Sequence, residues 1–425
     1  MQQPATRINY TNAVIIIGIL FFTFGFVTWV NNTLILFLKI ICELKSDVQA
    51  FFVTFAFYMA YFFLALPSAK ILQKTGFKNG MALGLTVMAV GSLLFVPAAY
   101  DRSFGLFLTG LFIQGMGLAL LQTAVNPYIS IVGPQESAAQ RISIMGICNK
   151  GAGMLAPLIL GAIILKDATA LETRIIATQD AVVKEQLLTE LANRIVTPYV
   201  VITVILILLA FFIRKSKLPE IDTNREEPSD PTAVVRSRTS VFQYRHLVLG
   251  ILCLFLYVGA EVMAGDAIGI YGKTIGMPLD ETKYFGTFTL GAMLVGYIVG
   301  VFTIPKYMSQ QTALKYSAIL GIALSICAYF SGGYAAIVFI ALMGLANALM
   351  WPAIFPLAIS GLGKFTKTAS ALLIMGIAGG ALIPLLYASL KEPSIGLNNE
   401  LAFFLCMIPC YLYIFYYAVS GYKPK

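Results

Sequence analysis

Charge is what this chain lacks. Asp, Glu, Lys and Arg together make up 12% of its 425 residues, about half of what a soluble domain carries. Histidine occurs once and tryptophan twice. A single histidine gives no set of ligands for a metal centre. No nucleophile–base pair or phosphate-binding glycine loop occurs at a spacing that supports an enzyme. No catalytic residues, metal or cofactor are therefore expected. The six cysteines read as small buried apolar side chains, because five lie inside apolar runs and Cys42 just beyond the first.

Apolar residues fill the space that charge leaves. They make up 59% of the chain, which points to an all-α integral membrane protein. The first apolar run, from Ala13, continues too far for a cleavable leader and reads as a first span. Twelve spans are expected at about 13–38, 50–72, 80–100, 104–130, 139–165, 197–213, 246–271, 283–304, 313–331, 334–360, 369–390 and 400–420. Two longer connections interrupt them. Residues 166–194 alternate charged residues with Leu, Ile and Val, as amphipathic helices outside the membrane do. Residues 214–245 are polar, charged and Pro-containing, which is linker composition. They divide the chain into six-span halves, 1–213 and 246–425.

Positive charge orients the halves. With both termini and the linker on the cytoplasmic side, 18 of the 29 Lys and Arg lie inside and 10 outside. Acids divide the other way, 6 inside and 12 outside. The net charge of +9 thus reports topology, and its scatter over short loops speaks against nucleic acid as a partner. The lipid bilayer is the expected surrounding.

The halves echo each other. Ile144–Pro157 reads IMGICNKGAGMLAP and Ile374–Pro384 reads IMGIAGGALIP; Gly117–Pro127 reads GLALLQTAVNP and Gly344–Pro352 reads GLANALMWP. Gly/Pro-interrupted helices at matching places in two halves point to a duplicated transporter with its site at the midplane. The loop AKILQKTGFKNG, Ala69–Gly80, resembles the signature loop of the major facilitator superfamily through Lys74, Gly76 and Lys78, with Gln73 where that signature has an acid.

Four further segments carry a finer resemblance: FGFVTWVNNTLILFLK (Phe24–Lys39), GLALLQTAVNPYIS (Gly117–Ser130), YVGAEV (Tyr257–Val262) and GLGKFTKTASALLIMGIAGGALIPLL (Gly361–Leu386). Through them the chain resembles the fucose–galactose–glucose:proton symporter family over nearly its whole length. The resemblance implies two pseudo-symmetric six-helix bundles, a monosaccharide substrate and alternating access, with proton or sodium as coupling cation and a bacterial inner membrane as location. Uncoupled uniport with Lys150 as a fixed charge is the alternative; export of a drug or metabolite is a more distant one.

The departures matter as much. Proton-coupled members of that family carry acids on helices 1 and 4 where this chain has Asn32 and Gln122. An amide exchanges hydrogen bonds with hydroxyls but does not carry a proton. The family also has a Gln at the position of Gly146 and a small residue at the position of Lys150.

A sugar site needs amides, hydroxyls and an aromatic face. Asn32, Gln122, Asn149, Asn347, Trp29, Trp351 and Tyr58 are the candidates for it, with Tyr61, Asn31 and Asn126 nearby. Lys150 stands alone in an apolar segment, with no acid within ten residues on either side. Glu261 and Asp266 are the acids within the spans, both on helix 7, and an offset of five places them about 140° apart on a regular helix. An intramembrane charge is expensive enough to be a functional candidate by default. Lys150 could pair with either acid as a gate, titrate, or stand as a fixed charge in the coupling region.

Overall fold

A computed structural model describes residues 10–131, 138–216, 218, 240–304, 306–362 and 365–423. Most of the expected linker and the extreme termini lie outside the described residues. The first half contains α1 (Tyr10–Trp29), α2 (Asn31–Ile41), α3 (Asp47–Leu93), α4 (Phe95–Tyr100), α5 (Phe104–Ile131), α6 (Ala138–Ile164), α7 (Ala168–Ala177), α8 (Ala181–Asn193) and α9 (Val196–Lys215). The second contains α10 (Arg245–Gly265), α11 (Ala267–Thr274), α12 (Leu279–Thr282), α13 (Phe285–Thr303), α14 (Gln310–Phe330), α15 (Gly333–Asn347), α16 (Met350–Ile359), α17 (Thr366–Met375), α18 (Gly379–Lys391) and α19 (Asn399–Tyr416).

Among the described residues, 11 helical runs are long and apolar enough to cross a bilayer. One of them, Asp47–Tyr100, has 54 residues, roughly 80 Å of helix against a hydrocarbon core of about 30 Å. It crosses twice. The break falls at Gly76, whose φ of 77° and ψ of 170° suit glycine and no other residue well. That glycine belongs to the basic loop singled out in the sequence, and with it the crossings number twelve.

Within each half, small residues let helices pack backbone to backbone. In α1, an added Cβ on Gly25 would overlap the Asn149 carbonyl of α6. In the second half, one on Gly379 at the start of α18 would overlap the Phe255 carbonyl of α10. First and fifth spans are therefore locked together in both bundles, by close approach of the kind that small residues permit in lipid. The bundles meet along α3 with α17 and α18, and along α6 with α13.

The interruptions differ from the expectation. The tenth and eleventh spans do break, between α15 and α16 at Ala348–Leu349 and between α17 and α18 in a 3-10 stretch at Gly376–Ala378. Their first-half counterparts α5 and α6 run on unbroken, α6 with Pro157 inside it. The symmetric breaks lie instead in the first span of each half, at Val30 and at Asp266. A proline alone removes one hydrogen bond, and neighbouring helices can hold the rest of the turn straight.

The insertion at 166–194 forms α7 and α8, and together they cover the face opposite the linker. There the two bundles are tied by polar contacts. The Asp280 carboxylate accepts hydrogen bonds from the backbone N–H groups of Ala168 (3.2 Å) and Thr169 (3.1 Å), which caps α7 from the other bundle. Lys283 donates to the Leu165 carbonyl and to Asp280, each at 2.7 Å. Lys273 pairs with Glu172, and Lys391 with Asp47 at 2.5 Å. Removing a helix cap costs about 1 kcal/mol, enough to shift a finely balanced equilibrium. Asp280→Ala is thus expected to favour the conformation open on this face. In a Trp351→Phe background, iodide quenching of the remaining Trp29 should rise; unchanged quenching would show that the clasp does not hold the bundles.

Candidate functional site

Between the bundles lies a cavity; the space among its lining atoms, its open mouth included, is about 800 Å³. Phe21, Phe24, Thr28 and Trp29 enter it from α1, and Tyr58 and Tyr61 from α3. Gln122 and Asn126 come from α5, with Ile142, Gly146, Asn149 and Lys150 from α6. The second half contributes Tyr257, Val258, Glu261 and Val262 from α10, Tyr297 from α13, Trp351 and Pro352 from α16, and Ile377. A narrower recess lined by Asn126, Ile142, Trp351 and Phe355 continues it towards the linker face.

The far end is closed by an ion pair. Lys150 Nζ lies 2.5 Å from Glu261 Oε1, across the bundle interface. The two side chains are 9% and 8% exposed, so little water shares the charge. The ammonium also sits 4.5 Å from the centroid of the Trp29 ring, close enough for a cation–π attraction. Trp29 itself is wedged between Gly153 of α6 and Gly265 of α10, where a Cβ on either would overlap the indole. Three groups from α1, α6 and α10 thus form one plug.

Polar groups with hydroxyl-binding capacity line the walls. Gln122 Nε2 donates to Tyr61 Oη at 3.0 Å, which leaves its amide oxygen to accept from a ligand. Asn149 Nδ2 reaches the Phe21 carbonyl at 3.4 Å. Tyr58 and Tyr61 stack, with ring centroids 6.5 Å apart at 26°. Across the cavity, Trp351 stacks on Phe355 at 5.9 Å and 20°, and Tyr257 lies 6.4 Å from it. Amides beside flat aromatic faces suit a small polyhydroxylated ligand, whose C–H face is apolar and whose rim is polar.

Not every sequence candidate is in the lining. Asn32 is buried and donates to the Gly265 (2.9 Å) and Asp266 (3.3 Å) carbonyls, freed where α10 gives way to α11. Asn347 accepts from Tyr411 Oη at 3.0 Å, inside the second bundle. Both amides serve protein groups beside helix interruptions, because a bilayer interior offers no water to do so. Asp266 is 1% exposed and lies behind Tyr58. The chain is helical from Glu261 to Asp266, whose N–H donates to the Val262 carbonyl at 2.7 Å, and Glu261 is the one of the two acids found in the cavity lining.

The sequence reading missed Tyr257, Tyr297, Phe21, Phe24, Thr28 and Ile377. Tyr257 precedes Glu261 by four residues, and that spacing puts both on one helix face. Tyr297 carried no such signal. It fills the gap left by Gly146, where a Cβ would overlap its ring.

A buried pair broken on one side leaves the other charge stranded, at a cost of about 3–5 kcal/mol. Lys150→Ala and Glu261→Ala are each expected to lower the thermal midpoint in detergent. The double variant Lys150→Met/Glu261→Met should recover much of the loss. Additive losses would mean that the two side chains do not act on each other.

Residues 16–384 match the family model described as Major Facilitator Superfamily. The chain is 32% identical to the glucose/galactose transporter of Brucella abortus biovar 1 (strain 9-941), over 99% of this chain and 97% of that one. It is 28% identical to the L-fucose-proton symporter of Escherichia coli (strain K12), over 80% of this chain and 77% of that one. Among solved structures, a crystal structure of the E. coli fucose:proton symporter superposes with a TM-score of 0.74 at 25% identity, covering 96% of this chain and 98% of that one.

Proposed function

The chain belongs to the Major Facilitator Superfamily, and on that premise we propose that it is a sugar transporter that carries a neutral hexose across a bacterial inner membrane by alternating access. The observation that carries this reading is the cavity between the bundles, where Gln122, Asn126 and Asn149 face Trp351, Tyr257 and Tyr58. Its ends also suit the reading. One is sealed by Trp29 and the Lys150–Glu261 pair, the other continues towards the linker face. With the linker in the cytoplasm, as the distribution of Lys and Arg favours, this is an inward-facing state.

Charge balance narrows the substrate. Lys150 and Glu261 neutralise each other, so a neutral sugar enters without disturbing the pair, whereas an ionic substrate would have to compete for one partner. Amide and hydroxyl groups left without a ligand partner remain desolvated, which is how such a site rejects a greasy substrate. Cation-coupled symport fits the resemblance to the L-fucose-proton symporter. Uncoupled uniport is favoured by one specific observation: amides occupy both positions, Asn32 and Gln122, where proton-coupled members carry acids.

Counterflow in proteoliposomes against a panel of hexoses and pentoses is the direct test. Exchange of at least one hexose is expected, and exchange of none would overturn the reading. Gln122→Leu and Trp351→Ala should each raise the half-saturating concentration about tenfold, the equivalent of one lost hydrogen bond or stacking contact. Under imposed gradients, symport shows as accumulation beyond equilibration; equilibration alone, whatever the proton or sodium gradient, would establish uniport.

A further inference from the structure

One buried acid remains outside the cavity and outside the ion pair. Asp266 is 1% exposed, and among the described residues neither of its carboxylate oxygens has a donor at hydrogen-bonding distance. The groups that act on it are few. Tyr58 of α3 turns its hydroxyl towards the carboxylate without completing a full hydrogen bond. Glu261 of α10 adds a like charge, and Lys150 of α6 an opposite one. That lysine is already matched by Glu261 at 2.5 Å. Asn32 of α2 meets the backbone carbonyl of Asp266.

An ionised carboxylate in this setting would be a second negative charge beside a pair that is already neutral. Burying it uncompensated costs several kcal/mol. Binding a proton removes that charge. Tyr58 stands between this carboxyl and the cavity, and its ring stacks on Tyr61, which in turn holds Gln122. The hydroxyl of Tyr58 can therefore meet a sugar on one side and Asp266 on the other.

We infer that Asp266 is the residue that takes up the coupling proton in this chain, and that Tyr58 links its occupancy to the sugar. The inference rests on the sugar-transport reading in its cation-coupled form and deepens it. The proton comes from water in the cavity, binds a carboxylate oxygen of Asp266, and returns to water on the side to which the cavity next opens. Sugar held by Tyr58 and proton held by Asp266 favour each other, and the linkage is reciprocal. The function that the family resemblance would place on acids of the first bundle is thereby located on the second, at the break in helix 7.

Proteoliposomes holding the full chain and galactose as probe provide the test. For one proton per sugar, a gradient of one pH unit supports about tenfold accumulation. Asp266→Asn is expected to keep counterflow and lose this accumulation, falling to simple equilibration. Tyr58→Phe should exchange galactose yet accumulate less than the parent. Accumulation by Asp266→Asn equal to the parent's would overturn the inference, and so would a parent that follows a sodium gradient and ignores the proton gradient. A second measurement needs no sugar. Infrared difference spectra recorded across a pH step should show a protonated-carboxyl band in the parent and in Glu261→Gln, but not in Asp266→Asn. Should the last variant fail to fold, Asp266→Glu must shift the band. A parent without the band refutes the assignment to Asp266. Absence of hexose exchange alongside a normal band would instead refute the sugar reading.

Discussion

A positive charge placed in a membrane span must find a negative one, and in this fold Lys150 finds it on the other bundle. Much of the surrounding arrangement follows from that need. Glu261 has to project from α10 at the level of Lys150, so the bundles must come together there. Trp29 fills the space beside the ammonium and requires glycine on both sides, at Gly153 and Gly265. On the proposed alternating-access reading the partners belong to bodies that move relative to each other, so the pair is more than a passive tie. On that reading its geometry belongs to one state, and each passage would remake or exchange it.

The architecture was legible from composition. Spans of about 20 apolar residues, a polar division in the middle and a basic inside gave twelve helices in two groups, because lipid admits few alternatives. The loop around Gly76 could be read as well, since a reversal between two long apolar runs needs a residue that tolerates positive φ. Where helices break was less legible. Gly and Pro marked α5 and α6, yet those helices continue, while Val30 and Asp266 interrupt helices with no proline nearby. Tertiary packing decided these cases: Asn32 takes up the carbonyls freed at Gly265 and Asp266. Local sequence holds no record of a partner 233 positions away.

The same limit applies to the site. Gln122, Asn149, Trp29, Trp351, Tyr58, Lys150 and Glu261 can be picked out because each is the wrong residue for lipid, and all of them border one cavity. Asn32 and Asn347 were picked out for the same reason but face helix interruptions. A polar side chain in a span announces a need for a partner without saying whether that partner is a ligand or a backbone. Tyr297 shows the converse. Tyrosine is common in this chain, with 21 copies, and its place opposite Gly146 emerges only once the bundles are assembled.

The clasp formed by α7, Asp280, Lys283, Lys273 and Glu172 has a consequence for the surroundings in which the molecule works. Unlike Lys150 and Glu261, several of its charges border the aqueous phase: Lys273 and Glu172 are 32% and 21% exposed, and Asp280 is 41% exposed. Interactions between such groups weaken with dissolved salt, over a screening length of about 8 Å at physiological ionic strength. The catch that holds one face shut is therefore tuned by the medium on that face, while the buried pair is shielded from it. On the proposed reading a dilute medium on that face would keep the door closed longer and a saline one would loosen it, a dependence that the buried lining of the cavity does not share.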